Sequence, residues 1–288
     1  MASLCPAEGA TAVDALARVV NPQAYASGDD RATRSAEVLQ KPVPSQGGPG
    51  CAAAVGVRGS AVGEAGRGTT DLTTGHAITS KTVFDTASNS RQCTADAVLL
   101  LAERHQLALN DPLSHYVDNP PAWARDVTLG DLMRHTSGIP DYQELLEAKG
   151  IELTVPAGRE EAIAAILASQ PQDPPGERFP NSNSNSNSNS NYVLLAHVVE
   201  RVISKPFPTF IQQEFFTLLD LRMTVSPAVE AGILLLSDQS VVHRGDWEGF
   251  HSTFKLIPDR NTAATVVCNV DSPDIVRAAN QLLDVWTK

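Results

Sequence analysis

Strand-forming sequence stands near both ends of this chain, and helix-forming sequence fills the space between. Residues 51–69, CAAAVGVRG followed by SAVGEAGRGT, read as two short strands joined by a glycine-containing turn. Residues 250–270, FHSTFKLIPDRNTAATVVCNV, read as a hairpin turning at Pro258, Asp259, Arg260 and Asn261. Between them, residues 94–105 are apolar nearly all round, the pattern of a buried helix. Residues 128–142 read as a short helix ended by Gly138 and Pro140, and residues 192–203 as another apolar helix. After the second hairpin, residues 274–287 place Ile275, Ala279, Leu282, Leu283 and Trp286 on one helical stripe. Upstream, residues 12–20 carry Val13, Leu16, Ala17 and Val20 at helical spacing, and residues 21–50 read as a loop. A strand pair at each end, with helices between and after, predicts an α+β fold of the three-layer α/β/α type. Its antiparallel sheet is built from N- and C-terminal strands and flanked by helices.

The bulk numbers agree with a packed domain and exclude several functions. Of 288 residues, 42% are hydrophobic and 19% charged, enough apolar sequence for a core. The net charge of −11 comes with no Lys/Arg block to neutralise phosphates, so no nucleic-acid partner is expected. Cys5, Cys51, Cys93 and Cys268 never pair as CxxC, and the seven histidines show no HExxH spacing. No metal or other cofactor is expected, and each cysteine is read as a free, partly buried thiol. No apolar run is long enough to span a bilayer. The opening MASLCPAEGATAVDALARVV lacks a basic start and a continuous apolar stretch, so no signal peptide is expected. The chain is then intracellular, or this version lacks a leader.

Residues 84–101, FDTASNSRQCTADAVLLL, hold the most chemical segment. Ser88 and Arg91 lie three apart at the entry to an apolar helix, on one face, where the helix N-terminus favours developing negative charge. Alone the pair says little, because a serine before a helix is usually a cap. The flanking sequence adds more. Residues 84–94, together with Leu132, His135, Thr136, Ser137, Gly138, Ile139 and Pro140, resemble two ordered motifs of the serine β-lactamase and penicillin-binding protein family. The likeness is to the branch of class C β-lactamases, DD-peptidases and related esterases, and it spans roughly residues 51–223 and 241–288.

This resemblance implies a serine hydrolase that works through an acyl-enzyme, with Ser88 as nucleophile. Arg91 stands where the family has lysine. Lysine can give up its proton when buried, but arginine, with a pKa above ~12, effectively cannot.

The family's second motif is Tyr-x-Asn. Here Pro175, Gly176 and Phe179 match its left flank, and Tyr192, Leu194 and Leu195 its right. Between them runs an Asn-Ser repeat, residues 181–191. Counted from the left, the Tyr and Asn positions are Asn181 and Asn183. Counted from the right, they are Asn187 and Asn189. The counts differ by six residues, as if three Asn-Ser units had been inserted. Either way the phenol is absent, and an amide does not titrate. A flexible linker is the alternative reading of the run.

The third motif, Lys-Thr-Gly or His-x-Gly on a strand, is matched by His243, Arg244 and Gly245. Ser88, Arg91 and His243 are thus the expected catalytic residues. Asn183, Asn189, Arg244 and Gly245 are the expected substrate-binding ones. Residues 1–50 are expected to form an N-terminal helix and loop, and residues 51–288 the hydrolase domain, its helical part shortened near residues 224–242. The implied substrate is a small molecule or peptidoglycan-like: a β-lactam, a D-alanyl peptide or an ester. Loss of both the lysine and the phenol implies impaired turnover. An inactive homologue that binds a ligand or a protein partner is the alternative, and a degraded or altered sequence without function is a third.

Overall fold

In the computed structural model, residues 30–43, 47–58, 60–151, 158–176, 188–217, 234–235, 240–247, 249–270 and 274–287 are described. They fall into two units. One holds Met1–Thr86, Glu214–Met223 and Leu234–Lys288, and the other Ala87–Gln213 and Thr224–Ile233.

The first unit is built on a sheet. Strands β1 (Cys51–Val57) and β2 (Ser60–Arg67) form the expected hairpin. Arg58, in the turn, takes the left-handed conformation at φ 50. Strand β5 (Phe250–Ile257) and strand β6 (Thr262–Cys268) form the second, with a 3-10 turn at Pro258–Arg260 between them. The two hairpins join because β1 pairs with β6, so the first and last strands of the sheet meet at its centre. With β4 (Val241–Trp247) and the two-residue β3 (Leu234–Leu235), the order is β2-β1-β6-β5-β4-β3, antiparallel throughout. The residues of 224–242 expected to form a shortened bridge lie mostly outside the described residues, as do residues 12–20.

One face of this sheet is covered by the predicted C-terminal helix (Ile275–Thr287). Its buried stripe of Ile275, Ala279, Leu282 and Leu283 packs with Val55 and Val266, the inward positions of the central strands. Beside it lies a first helix, α1 (Asp30–Val38), within a stretch read from sequence as loop. Its nine residues, DRATRSAEV, offer only Ala32, Ala36 and Val38 as apolar positions, too small a stripe to announce it. Tertiary contacts hold it instead. The Arg31 guanidinium lies 4.6 Å from the Trp286 ring centroid, and Trp286 Nε1 donates to Ser35 Oγ at 3.0 Å.

The second unit is helical: α2 (Arg91–Glu103), α3 (Leu129–Met133), α4 (Tyr142–Glu147), α5 (Arg159–Ala168), α6 (Ser190–Ile203) and α7 (Phe207–Ile211). Helix α6 is the hub, packing on α2, α3 and α5. Leu194, Leu195, Val198 and Val199 are buried on it. Helix α2 was expected to be buried all round, yet Leu99 is 46% exposed and Asp96 is also exposed, so one stripe is uncovered. The short helix expected in residues 128–142 forms and ends before Gly138, and a further helix follows Pro140. A Thr128–Asp131 capping box starts α3, the chain turns out of it at His135, and α4 begins at Tyr142.

The cysteine reading is corrected for two residues. Cys51 and Cys268 are joined in a disulfide across a β1–β6 register pair, with both residues fully buried. The bond closes a separation of 217 residues, and only the sheet register brings the two together. Cys93 is free, and burial pushes its thiol up to about 11. On unfolding without reductant, a thiol-alkylating reagent is therefore expected to spare Cys51 and Cys268 and to label them only after reduction. Reduction is expected to lower the denaturation free energy by roughly 2–5 kcal/mol. Equal labelling before and after reduction would contradict this pairing.

Candidate active site

The helical unit assembles its polar groups where α2 begins. The chain enters α2 through a 3-10 turn, Ala87–Ser90, whose first residue sits at φ 47. A left-handed alanine costs on the order of 1 kcal/mol and persists only where surrounding structure enforces it. Ser88 follows it and is 9% exposed. It does not occupy the helix-cap position. Ser90 does, and its Oγ donates to the Ala87 carbonyl at 2.7 Å rather than capping. The capping alternative for Ser88 therefore falls away.

One turn on, Arg91 is 1% exposed, so nearly the whole cation is out of water. A buried charge is tolerated only with partners. Arg91 Nη2 donates to Asn189 Oδ1 at 2.5 Å. Asn189 is the position reached by counting the Tyr-x-Asn motif from the right. Asn183, reached from the left, lies outside the described residues.

Two segments surround this pair, residues 135–143 and 188–192. Asn189 N donates to Asp141 Oδ2 at 2.7 Å, and its Nδ2 to Gln143 Oε1 at 3.1 Å. Ser190 Oγ donates to the Pro140 carbonyl at 2.7 Å. Asn191 Oδ1 accepts from Ser137 Oγ at 2.5 Å, and its Nδ2 donates to the Ser188 carbonyl and lies 3.1 Å from His135 Nδ1. His135 Nε2 lies 3.3 Å from Arg91 Nη1, and only one nitrogen of a neutral ring can accept, so of Arg91 and Asn191 the ring takes a hydrogen bond from one. His135 itself is held left-handed at φ 55.

Tyr192 lies over the same cluster, its ring 5.2 Å from His135 and 5.7 Å from the Arg91 guanidinium. Burial pushes its phenol up to about 12, against the opposing pull of Arg91. Its hydroxyl donates to the Met133 carbonyl at 3.0 Å. It is a neutral structural phenol and does not stand in for the missing tyrosine of the motif. Asp131 anchors the turn below. Burial would raise its carboxyl, but hydrogen bonds from Thr128 and Thr136 and the charge of Arg134 together hold it below the usual range.

The other expected residues belong to the sheet unit. His243, Arg244 and Gly245 lie on β4, where strand alternation puts His243 and Gly245 on one face and Arg244 on the other. His243 is 8% exposed, while Arg244 is exposed and 3.5 Å from Asp246. Asp246 also pairs with His251 at 2.7 Å across the β4–β5 register.

The comparisons agree with this architecture. The beta-lactamase family model matches residues 31–234. Penicillin-binding protein 4 of Amycolatopsis lactamdurans is 28% identical over 187 residues, 64% of this chain and 46% of that protein. Penicillin-binding protein 4* of Bacillus subtilis is 28% identical over 152 residues, 52% of this chain and 32% of that one. The chain therefore spans less than half the length of either relative. Among solved structures, the octameric penicillin-binding protein homologue from Pyrococcus abyssi aligns with a TM-score of 0.72 at 18% identity, covering 89% of this chain and 77% of that one. A class C beta-lactamase aligns with a TM-score of 0.68 at 13% identity, covering 91% and 98%. Sheet and helices have the α+β fold of these solved structures. The chain belongs to the beta-lactamase family.

The sequence singles out Ser88, Arg91 and Asn189 as candidates and assigns no role to His135, Ser137, Asp141, Gln143 or Asn191, which the structure places in the same cluster. His135 and Ser137 lay inside a recognised motif, and that was the available signal. Gly138, just after Ser137, sits at φ +71, and a Cβ there would fall 2.1 Å from the Asp173 carbonyl oxygen. Gly150 has φ +76 but open space around it. Gly150→Ala is thus expected to cost about 1–2 kcal/mol from backbone strain alone. Gly138→Ala should cost clearly more in the same chemical-denaturation series, and equal losses would contradict the packing described.

Proposed function

We propose that this protein is a slow serine acyl-transfer hydrolase in which Ser88 attacks the carbonyl of a β-lactam, a D-amino acyl amide or peptide, or an ester. The observation that carries the reading is the bond between Arg91 and Asn189. The residues at the lysine and Tyr-x-Asn asparagine positions meet, one helical turn from the serine, despite both substitutions. The substrate class draws on the neighbours. One is a D-amino acid amidase from Ochrobactrum anthropi complexed with L-phenylalanine amide, aligned with a TM-score of 0.72 at 14% identity over 90% of this chain and 99% of that one.

In this reading Ser88 Oγ forms the bond to the carbonyl carbon, whose electrons move onto oxygen. The adduct collapses as the bond from the carbonyl carbon to the leaving nitrogen or oxygen breaks, the hydroxyl proton passes to that leaving group directly or through solvent because Arg91 accepts none, and water then releases the acyl group from Ser88. Arg91 supplies fixed positive charge near the developing oxyanion, helped by the N-terminus of α2. Without a base the step is slow, and loss of one member of such a set costs about 10³-fold or more.

A second reading, an inactive homologue that binds rather than turns over, is favoured by the same cluster. The guanidinium is held by Asn189, and the phenol of Tyr192 is committed to Met133. The two readings part on one experiment. Incubation with a fluorophosphonate or a labelled penicillin is expected to add one adduct mass, mapped to Ser88 and lost in Ser88→Ala. Arg91→Lys alone is expected to change the labelling rate by less than about tenfold, because the phenol remains absent. No adduct on folded protein would remove the hydrolase reading and leave the binding one.

A further inference from the structure

The Asn-Ser run gives the start of α6 no intrinsic address. Asn187 and Asn189 are equal as helix-capping residues, each followed by serine, so local propensity would begin the helix at either. The structure begins it after Asn189, and the residue at that cap makes no capping bond with its own side chain. The amide is spent elsewhere, on Arg91 and Gln143.

What meets Asn189 from outside is Asp141. This carboxylate caps its own helix, with Oδ1 accepting from Gln143 N at 2.9 Å. Its other oxygen accepts from Asn189 N at 2.7 Å. One anion thus serves the first turns of two helices, α4 and the longer α6, where backbone N–H groups and the helix dipole both favour negative charge. Gln143, one turn into α4, fixes the Asn189 amide so that its oxygen faces Arg91.

We infer that Asp141 is a positioning residue: it fixes Asn189 as the N-cap of α6 and so fixes the amide that holds Arg91. This goes beyond the reaction proposed above, and only its effect on Ser88 labelling rests on that reading. The clamp and the cap can be separated by substitution. In Asp141→Asn, the remaining oxygen can still cap Gln143 N, but the new NH₂ faces the Asn189 N–H, donor against donor. In Asp141→Ser, the hydroxyl can cap Gln143 N and is too short to reach Asn189 as well.

Site-resolved hydrogen exchange on the full chain reads the clamp without requiring activity. In Asp141→Asn and Asp141→Ser, the Asn189 amide is expected to exchange roughly tenfold or more faster than in the wild type, with the amides of Leu145 in α4 and of Ala148 at its C-cap unchanged. Unchanged exchange at Asn189 in both variants would overturn the inference. So would loss of α4 protection in both, which would make Asp141 an ordinary cap. Ser88 labelling by the fluorophosphonate is expected to slow in the same two variants. Should the wild type not label at all, the proposed reaction falls while the exchange comparison still decides the clamp.

Discussion

A guanidinium taken almost wholly out of water governs the helical unit. Arg91 is 1% exposed, and the groups around it are arranged to make that tolerable: the amide oxygen of Asn189, the face of Tyr192 and the ring of His135. Each of these is held in turn. Asp141 and Gln143 hold Asn189, Asn191 lies against His135, and the Met133 carbonyl holds Tyr192. The two segments that supply these groups, residues 135–143 and 188–192, are therefore fastened to each other by side chains rather than by a backbone ladder. Polar networks of this kind impose one geometry when satisfied and are costly when broken, because each orphaned donor or acceptor is left in a low-dielectric setting.

The same charge shapes the chemistry. A lysine in this place could cycle between protonated and neutral forms, whereas Arg91 stays charged. It can hold an anion or an asparagine but cannot relieve a serine of its proton. The fold of the beta-lactamase family is kept around a buried cation whose charge is fixed.

Much of the fold could be read from sequence where period and punctuation agree. The two hairpins show short β-rich runs around turn residues, and the C-terminal helix shows a clean apolar stripe. Helix α1 was not legible, because the apolar side of DRATRSAEV is only two alanines and a valine and the helix is held by Trp286, some 250 residues away. The Cys51–Cys268 bond was hidden for a similar reason: partners 217 residues apart are set by sheet register alone. In the site, motif likeness located Ser88 and Arg91. It could not choose between Asn183 and Asn189, since a two-residue repeat looks the same from every unit. Asn189 is bonded by Asp141, Gln143 and Arg91, which lie far from the run in the chain, and Asn183 lies outside the described residues.

The central claim is that the buried cation and one particular asparagine depend on each other. A double-mutant cycle on stability tests it most directly, using Arg91→Met, Asn189→Ala and the pair, with unfolding free energies from denaturant titration. A coupling of about 1.5–3 kcal/mol is predicted, the range for a buried hydrogen bond to a charged group. Additive losses, with a coupling near zero, would contradict the account.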